Sequence, residues 1–211
     1  MFIVIEGCEG SGKSSLTQLL KDKLMAEGKA VVATREPGGS SLGERVRDWI
    51  LDPSTTELSP YTELFLFLAA RAQHMTEKIL PALELGKIVV CDRFHDSTIV
   101  YQGIVGGLGK EYVTNLCHSV VGQKKILPNL TCLLDIPADE GLKRKQQQKS
   151  FDKFENQSLA YHTKIREGFL SLAESRPDSY LVLDARQPIE EALNKVMTAY
   201  TKLALCKSKE R

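Results

Sequence analysis

The chain has 211 residues, 42% hydrophobic and 26% charged, with a formal net charge of +1; that is enough chain to bury a proper core, and no global field to draw in nucleic acid or an anionic membrane. Its 5 cysteines, Cys8, Cys91, Cys117, Cys132 and Cys206, show no CxxC spacing, and three sit in apolar runs, which argues against disulfides and a zinc site and for a reducing compartment. The apolar start MFIVIEG is too short for a signal peptide and no apolar run approaches a membrane span, so a cytoplasmic location is expected.

In chain order, the first element is FIVIE (2–6), a β-branched run that reads as a buried strand. It leads into GCEGSGKSS (7–15), which fits G-x-x-x-x-G-K-[ST] between a strand and a helix. Gly7, Gly10 and Gly12 let backbone amides approach phosphate oxygens at the helix start, with Ser11 and Ser15 in the same loop. Lys13 would reach the β and γ phosphates of a nucleoside triphosphate, and Ser14 would offer its hydroxyl to Mg²⁺. A plain strand-to-helix turn does not require Lys and Ser at those offsets. Leu16, Leu19, Leu20 and Leu24 then form a helical stripe that stops at Gly28.

AVVAT (30–34) is the second strand, followed by REPGG (35–39), a turn that brings the next helix and Arg47 toward an acceptor site. Ser59 as N-cap and Pro60 at the first helical position open a long helix in which Phe67 and Arg71 are four apart. That pairs an aromatic face with a planar donor, suited to a nucleobase, although LFLFLAAR taken alone reads equally as core packing. KIVVCD (87–92) is the third strand. At its carboxyl end Asp92 is placed to hold Mg²⁺ through water and Arg93 to bridge phosphates; the alternative is a structural Asp–Arg ion pair. The segment after Arg93 reads as a helix that pairs Ser97 with Tyr101 and Thr98 with Gln102. LTCLLDI (130–136) and YLVLDA (180–185) are the remaining strands, with a helix at about 157–174 between them. The alternation predicts an α/β fold: a three-layer phosphate-loop NTPase with a five-stranded, mainly parallel sheet.

The polar, lysine-rich KRKQQQKSFDKFE (143–155) interrupts this rhythm and reads as a mobile lid or a solvated loop, and the basic tail at about 203–211 as frayed helix end; the whole is taken as a single domain, 1–211. The 4 histidines have no metal-ligand spacing. No NKxD or DxxG signature marks a GTPase, and there is little room for the accessory domains of a mechanical ATPase. A kinase with a small acceptor leads. Two alternatives stay open: a phosphate-loop kinase for another small acceptor, or a nucleotide-gated switch.

GCEGSGKSS, REPGG, FLAAR (67–71), DRFHDSTIVYQG (92–103) and LLDIPADEGLKR (133–144) together resemble the thymidylate kinases in order and spacing, and look like the bacterial form of these enzymes, over essentially the whole chain up to about residue 200. The resemblance implies transfer of the ATP γ-phosphoryl group to dTMP with Mg²⁺, and a homodimer. It implies that Phe67 stacks on thymine, Arg71 hydrogen-bonds a base carbonyl, and Thr98 and Gln102 lie near the base edge. Arg47 and Arg93 would bind the acceptor phosphate, with Ser97 beside them. Tyr101 would lie where a ribose 2′-hydroxyl clashes, and Glu9 would turn toward the acceptor's sugar and phosphate. The chain departs from the pattern in two places. One branch of the family carries an arginine directly after the acidic loop residue, where this chain has Gly10; in the bacterial branch that cation comes from the lid. Here the expected lid arginines are replaced by Gln146, Gln148 and Lys153, with Lys145 and Lys149 keeping positive charge nearby. Arg144 and Lys153 are the expected lid cations, alongside Lys13, Arg93 and Glu9 in the catalytic set.

Overall fold

The structure is a computed structural model that describes residues 1–52, 54, 55, 57–121, 126–147, 153, 154 and 156–209. Five strands, β1 (Phe2–Gly7), β2 (Val31–Arg35), β3 (Ile88–Asp92), β4 (Leu130–Asp135) and β5 (Tyr180–Asp184), form one sheet. All of its pairings are parallel and the order is β2-β3-β1-β4-β5. Central β1 is buried along its whole length. Its alternate residues serve opposite layers: Ile3 and Ile5 pack with Leu16, Leu20 and Leu24 of α1 (Lys13–Ala26), while Phe2 and Val4 pack with Met75, Ile79 and Phe94. The strands fall where the sequence pattern puts them, within a residue or two.

Helices cover both faces. α2 (Ser41–Leu51) and α3 (Pro60–His74) are capped by Ser40 and Ser59, whose hydroxyls accept from Gly43 N and Thr62 N. α3 runs through a π turn, Met75–Ile79, into α4 (Leu80–Glu84), where the Leu80 amide donates to Met75 O. The physical reason is Pro81, which lacks an amide hydrogen and whose ring would crowd an α-helical carbonyl below it; the wider turn relieves both. A second π turn, Ile99–Val105, extends α5 (His95–Thr98) and carries Tyr101 and Gln102. The sequence predicts a helix here but not its widening. α6 (Lys110–Val120), α7 (Ala138–Gln146), α8 (Leu159–Ser175) and α9 (Ile189–Lys209) complete the layers. Among the described residues no helix is long and apolar enough to cross a membrane. Residues 148–152 and 155 of the expected lid, Gln148 and Lys149 among them, lie outside the described residues.

Candidate active site

The loop after β1 and the ends of β2 and β3 open on the same edge of the sheet, where an open α/β sheet gathers its ligands. A cleft of about 600 Å³ lies there. The phosphate loop lines it with Glu9, Gly10, Gly12, Lys13, Ser14 and Ser15, and α2 and α3 with Arg47, Phe67 and Arg71. Asp92 and Arg93 line it from the end of β3, Ser97, Thr98, Tyr101 and Gln102 from the helix that follows, and Arg144 from α7. Of the expected site residues, Gly7, Ser11 and Lys153 are not among those lining it.

Gly12 caps α1 in the left-handed region, at φ 94°, which aims the loop amides and the helix start at one point. Lys13 folds over the loop and donates to Cys8 O at 2.6 Å, a carbonyl also held by Ser11 Oγ at 2.7 Å. Burial, and repulsion from Arg93, hold the Lys13 ammonium below the ordinary lysine pKa. Ser14 Oγ donates to Asp92 Oδ2 at 2.6 Å. A hydroxyl and a carboxylate this close, on the cleft floor, match the small all-oxygen protein contribution that Mg²⁺ takes beside substrate phosphates and water. No group of three or more His, Cys, Asp or Glu able to hold a metal by itself occurs among the described residues.

Beside the loop, Arg93 is the hub. It adopts φ 65° and donates from Nη1 to Gly7 O (3.1 Å) and Ser97 Oγ (3.0 Å), and from Nη2 to Glu9 Oε1 (2.8 Å). Tyr101 donates its phenol to the same Glu9 oxygen at 2.7 Å, and the Arg93 guanidinium lies 5.3 Å from the Tyr101 ring centre. Burial alone would raise the Glu9 pKa, but Arg93, then neighbours including Lys13 and Tyr101, outweigh it and hold the carboxyl well below the usual range. Glu9 is therefore an anion within the loop's own neighbourhood, compensated by Arg93 on its acceptor side. Its Oε2 has no hydrogen-bond partner among the described residues; His162 Nδ1, from α8, stands 3.6 Å away, beyond direct bonding distance.

Arg71 sits deeper than Phe67, which is half-buried. Arg71 is buried and its Nε donates to Glu36 Oε2 at 2.6 Å, while Nη2 donates to Thr98 Oγ1 at 2.9 Å. His74 Nδ1 lies 3.0 Å from the other Glu36 oxygen. Burial pushes the Glu36 carboxyl up, and Arg71 and His74 more than cancel that. Arg47 donates to Pro37 O at 3.0 Å, so the REPGG turn does carry it to the cleft. Arg144 donates to Ala185 O at 2.8 Å.

Five residues that sequence reasoning did not single out belong to this region. Glu36 lies inside REPGG, which was a readable signal. Glu6, a charge in an otherwise apolar strand, was another: it takes hydrogen bonds from Phe94 N (2.9 Å), Ser97 N (3.2 Å) and Ser97 Oγ (2.7 Å). His162 and Gly141 carry no such mark. A Cβ on Gly10, itself at φ 70°, would stand 2.0 Å from Gly141 O, and one on Gly141 would stand 2.4 Å from Glu9 O. The phosphate loop and α7 thus touch backbone to backbone. Phe154, from the stretch read as polar lid, lines the cleft, its ring 6.3 Å from Phe67 and 5.9 Å from Tyr101.

The family model described as Thymidylate kinase matches residues 5–196. The chain belongs to the thymidylate kinase family. It is 98% identical to the thymidylate kinase of Chlamydia abortus over 211 residues, the full length of both, and 61% identical to that of Chlamydia pneumoniae over 206 residues, 98% of this chain and 100% of the relative. Among solved structures, thymidylate kinase from Ehrlichia chaffeensis matches with a TM-score of 0.78 at 30% identity, covering 95% of this chain and 98% of the other. The parallel sheet and its phosphate loop are thus those of a thymidylate kinase.

Proposed function

We infer that the chain is a dTMP kinase, transferring the γ-phosphoryl group of ATP to dTMP to give dTDP and ADP for DNA precursor synthesis. The observation that carries the reading is the Arg93 hub, which joins the phosphate-loop carbonyl of Gly7, the loop acid Glu9, and Ser97 and Tyr101 of the neighbouring helix. A loop that only hydrolysed a triphosphate has no use for an acid tied to a phosphate-binding arginine on its outer side.

In this reading the loop amides of Gly7 to Ser15 and Lys13 hold the triphosphate. Ser14 and Asp92 would hold Mg²⁺, which would supply charge neutralisation for the transferring phosphoryl group. Arg93 and Arg47 take the acceptor phosphate. Arg93 exchanges its contact with Glu9 Oε1 for phosphate oxygens, while Tyr101 keeps its hydrogen bond to that carboxylate. The dTMP phosphate is already anionic, so no general base is needed; alignment and neutralisation supply the rate. Phe67 offers a face to thymine. Arg71, pre-set by Glu36 and Thr98, offers a fixed donor at little entropic cost. Tyr101 fills the space of a ribose 2′-hydroxyl, Gln102 lies at the base edge, and Arg144 is a lid-side cation. A cytoplasmic site fits a substrate that is a soluble nucleotide. A homodimer is the proposed assembly, supported by the exposed aromatics Trp49, Tyr61, Phe65 and Tyr112 on α2, α3 and α6.

The test is ADP formation from Mg·ATP with dTMP, dUMP, UMP, CMP, AMP, thymidine or no acceptor. The expected result is turnover with dTMP far above the rest. Another preferred acceptor would keep the kinase and overturn the pocket; ADP formation indifferent to acceptor would overturn both.

A further inference from the structure

The lid's far end is tied to α2 and α3. Lys153 Nζ donates to Glu63 Oε2 at 3.1 Å, and the Gln102 amide donates to Glu63 Oε1, also at 3.1 Å. The backbone amide of Lys153 donates to Leu51 O at 3.3 Å. Glu63 therefore ties a residue of the acceptor pocket to the residue that family spacing marks as a lid cation. Both side chains of the ion pair are mostly buried, at 27% and 15% exposure, so it is better sheltered from solvent than a surface pair. The next residue, Phe154, packs with Phe67 on one side and with Tyr101 on the other, and bridges the two apolar clusters beneath α3 and α8.

We propose that Phe154, held in place by the Lys153–Glu63–Gln102 bridge, is a specificity-determining wall of the acceptor pocket, and that Lys153 is a positioning residue for it and not the cation of phosphoryl transfer. The inference rests on the dTMP kinase reading. A planar base stacked between two rings needs about 7 Å between them, two contacts of about 3.5 Å. Phe67 and Phe154 stand 6.3 Å apart and tilted by 48°, a little closed. A base entering on Phe67 displaces Phe154 by a fraction of this spacing and presses directly on the residue next to Lys153. Acceptor occupancy and the lid's far end are therefore coupled, and the coupling runs both ways. Lys153 already has an anionic partner on the acceptor side, away from the phosphate loop. That leaves Arg144 and Lys145, which line the cleft from α7, as the lid-side cations for the transferred group.

The experiment is steady-state kinetics on the full chain, varying dTMP and ATP separately. Phe154→Ala should raise KM for dTMP about tenfold while kcat and KM for ATP move less than about threefold, the pattern of lost acceptor binding. Phe154→Leu should restore most of the loss. Lys153→Met and Glu63→Gln should each raise KM for dTMP about threefold, and the double variant no further than the larger single one, because one link is broken twice. A fall of about 100-fold in kcat for Lys153→Met at unchanged KM for dTMP would overturn the proposal and make Lys153 the phosphate cation. Unmoved KM for dTMP in both Phe154 variants would overturn it as well. If the parent enzyme prefers another acceptor, the function reading fails on that control alone, and the same series with that acceptor decides the proposal. Acceptor-independent turnover overturns both.

Discussion

Arg93 holds a left-handed backbone conformation at φ 65°, which costs a non-glycine residue about 1–3 kcal/mol and persists only where the surroundings impose it. Here they do. Glu6 receives the amides of Phe94 and Ser97 and the Ser97 hydroxyl, which fixes the chain on the far side of Arg93 while the guanidinium is fixed by Gly7, Ser97 and Glu9. Two glutamates three residues apart are thus driven in opposite directions. Glu9, facing Arg93 and Tyr101, stays ionised. Glu6 is raised from 4.5 to about 7, chiefly by burial, with Arg93 opposing and Asp96 assisting. In the window between those two values the folded chain keeps a proton that the unfolded chain releases, so this group's contribution to stability falls as pH rises through it. Glu6→Gln should therefore be destabilised relative to the parent at pH 5 and recover part of that deficit by pH 8, read from urea melts across the range. A deficit that stays flat from pH 5 to pH 8 would mean Arg93 holds Glu6 ionised and burial does not govern it.

At the scale of elements, the contact between the phosphate loop and α7 joins the donor site to the helix that carries Arg144. Alanine at Gly141 would gain helix propensity, about 1 kcal/mol at most. Against that stands a Cβ only 2.4 Å from the Glu9 carbonyl, a backbone atom that cannot swing aside. Overpacking of this kind costs about 1–3 kcal/mol and wins. Gly141→Ala should lower the urea midpoint and raise KM for ATP, since the loop must shift to make room; a variant of equal or higher stability with parent kinetics would show that α7 simply retreats. The same contact shows what the sequence could and could not disclose. Strands, caps and the phosphate loop are written in local spacing, so Ser40, Ser59, Lys13 and Asp92 were placed or placeable from neighbours alone. Phe154 was not, because nothing within KSFDKFEN says that one ring turns inward beneath two others from α3 and the π turn. Lys153 was weighed as a phosphate cation from family spacing, and its partner Glu63 lies 90 residues away in sequence. The π turns were hidden for a related reason: one follows from Pro81, visible in principle, while the other depends on how Tyr101 and Gln102 seat against α8 and α3.

For the whole molecule, the aromatic side chains left outward on α3 and α6 cluster: Tyr61 lies 6.4 Å from Phe65 and 6.3 Å from Tyr112. The chain has 1 tryptophan, Trp49, which is 48% exposed on α2. If two copies meet here, dilution should red-shift its emission in step with a fall in sedimentation coefficient; a monomer at all concentrations, with unchanged emission, would remove the dimer. The architecture also explains why the site could be anticipated better than the surface. Parallel strands buried on both faces force chemistry to one edge, whereas outward residues answer to a partner that the chain alone does not contain. Gly10 and Gly141 have one further consequence, for descent. An arginine placed after the loop acid, as in one branch of the family, puts a Cβ on a residue now at φ 70° and against α7. A side chain at position 10 requires the loop and α7 to separate, because its Cβ would meet the Gly141 carbonyl. A chain of this family that gains an arginine at position 10 has therefore to move α7 as well, and with it the helix that carries Arg144.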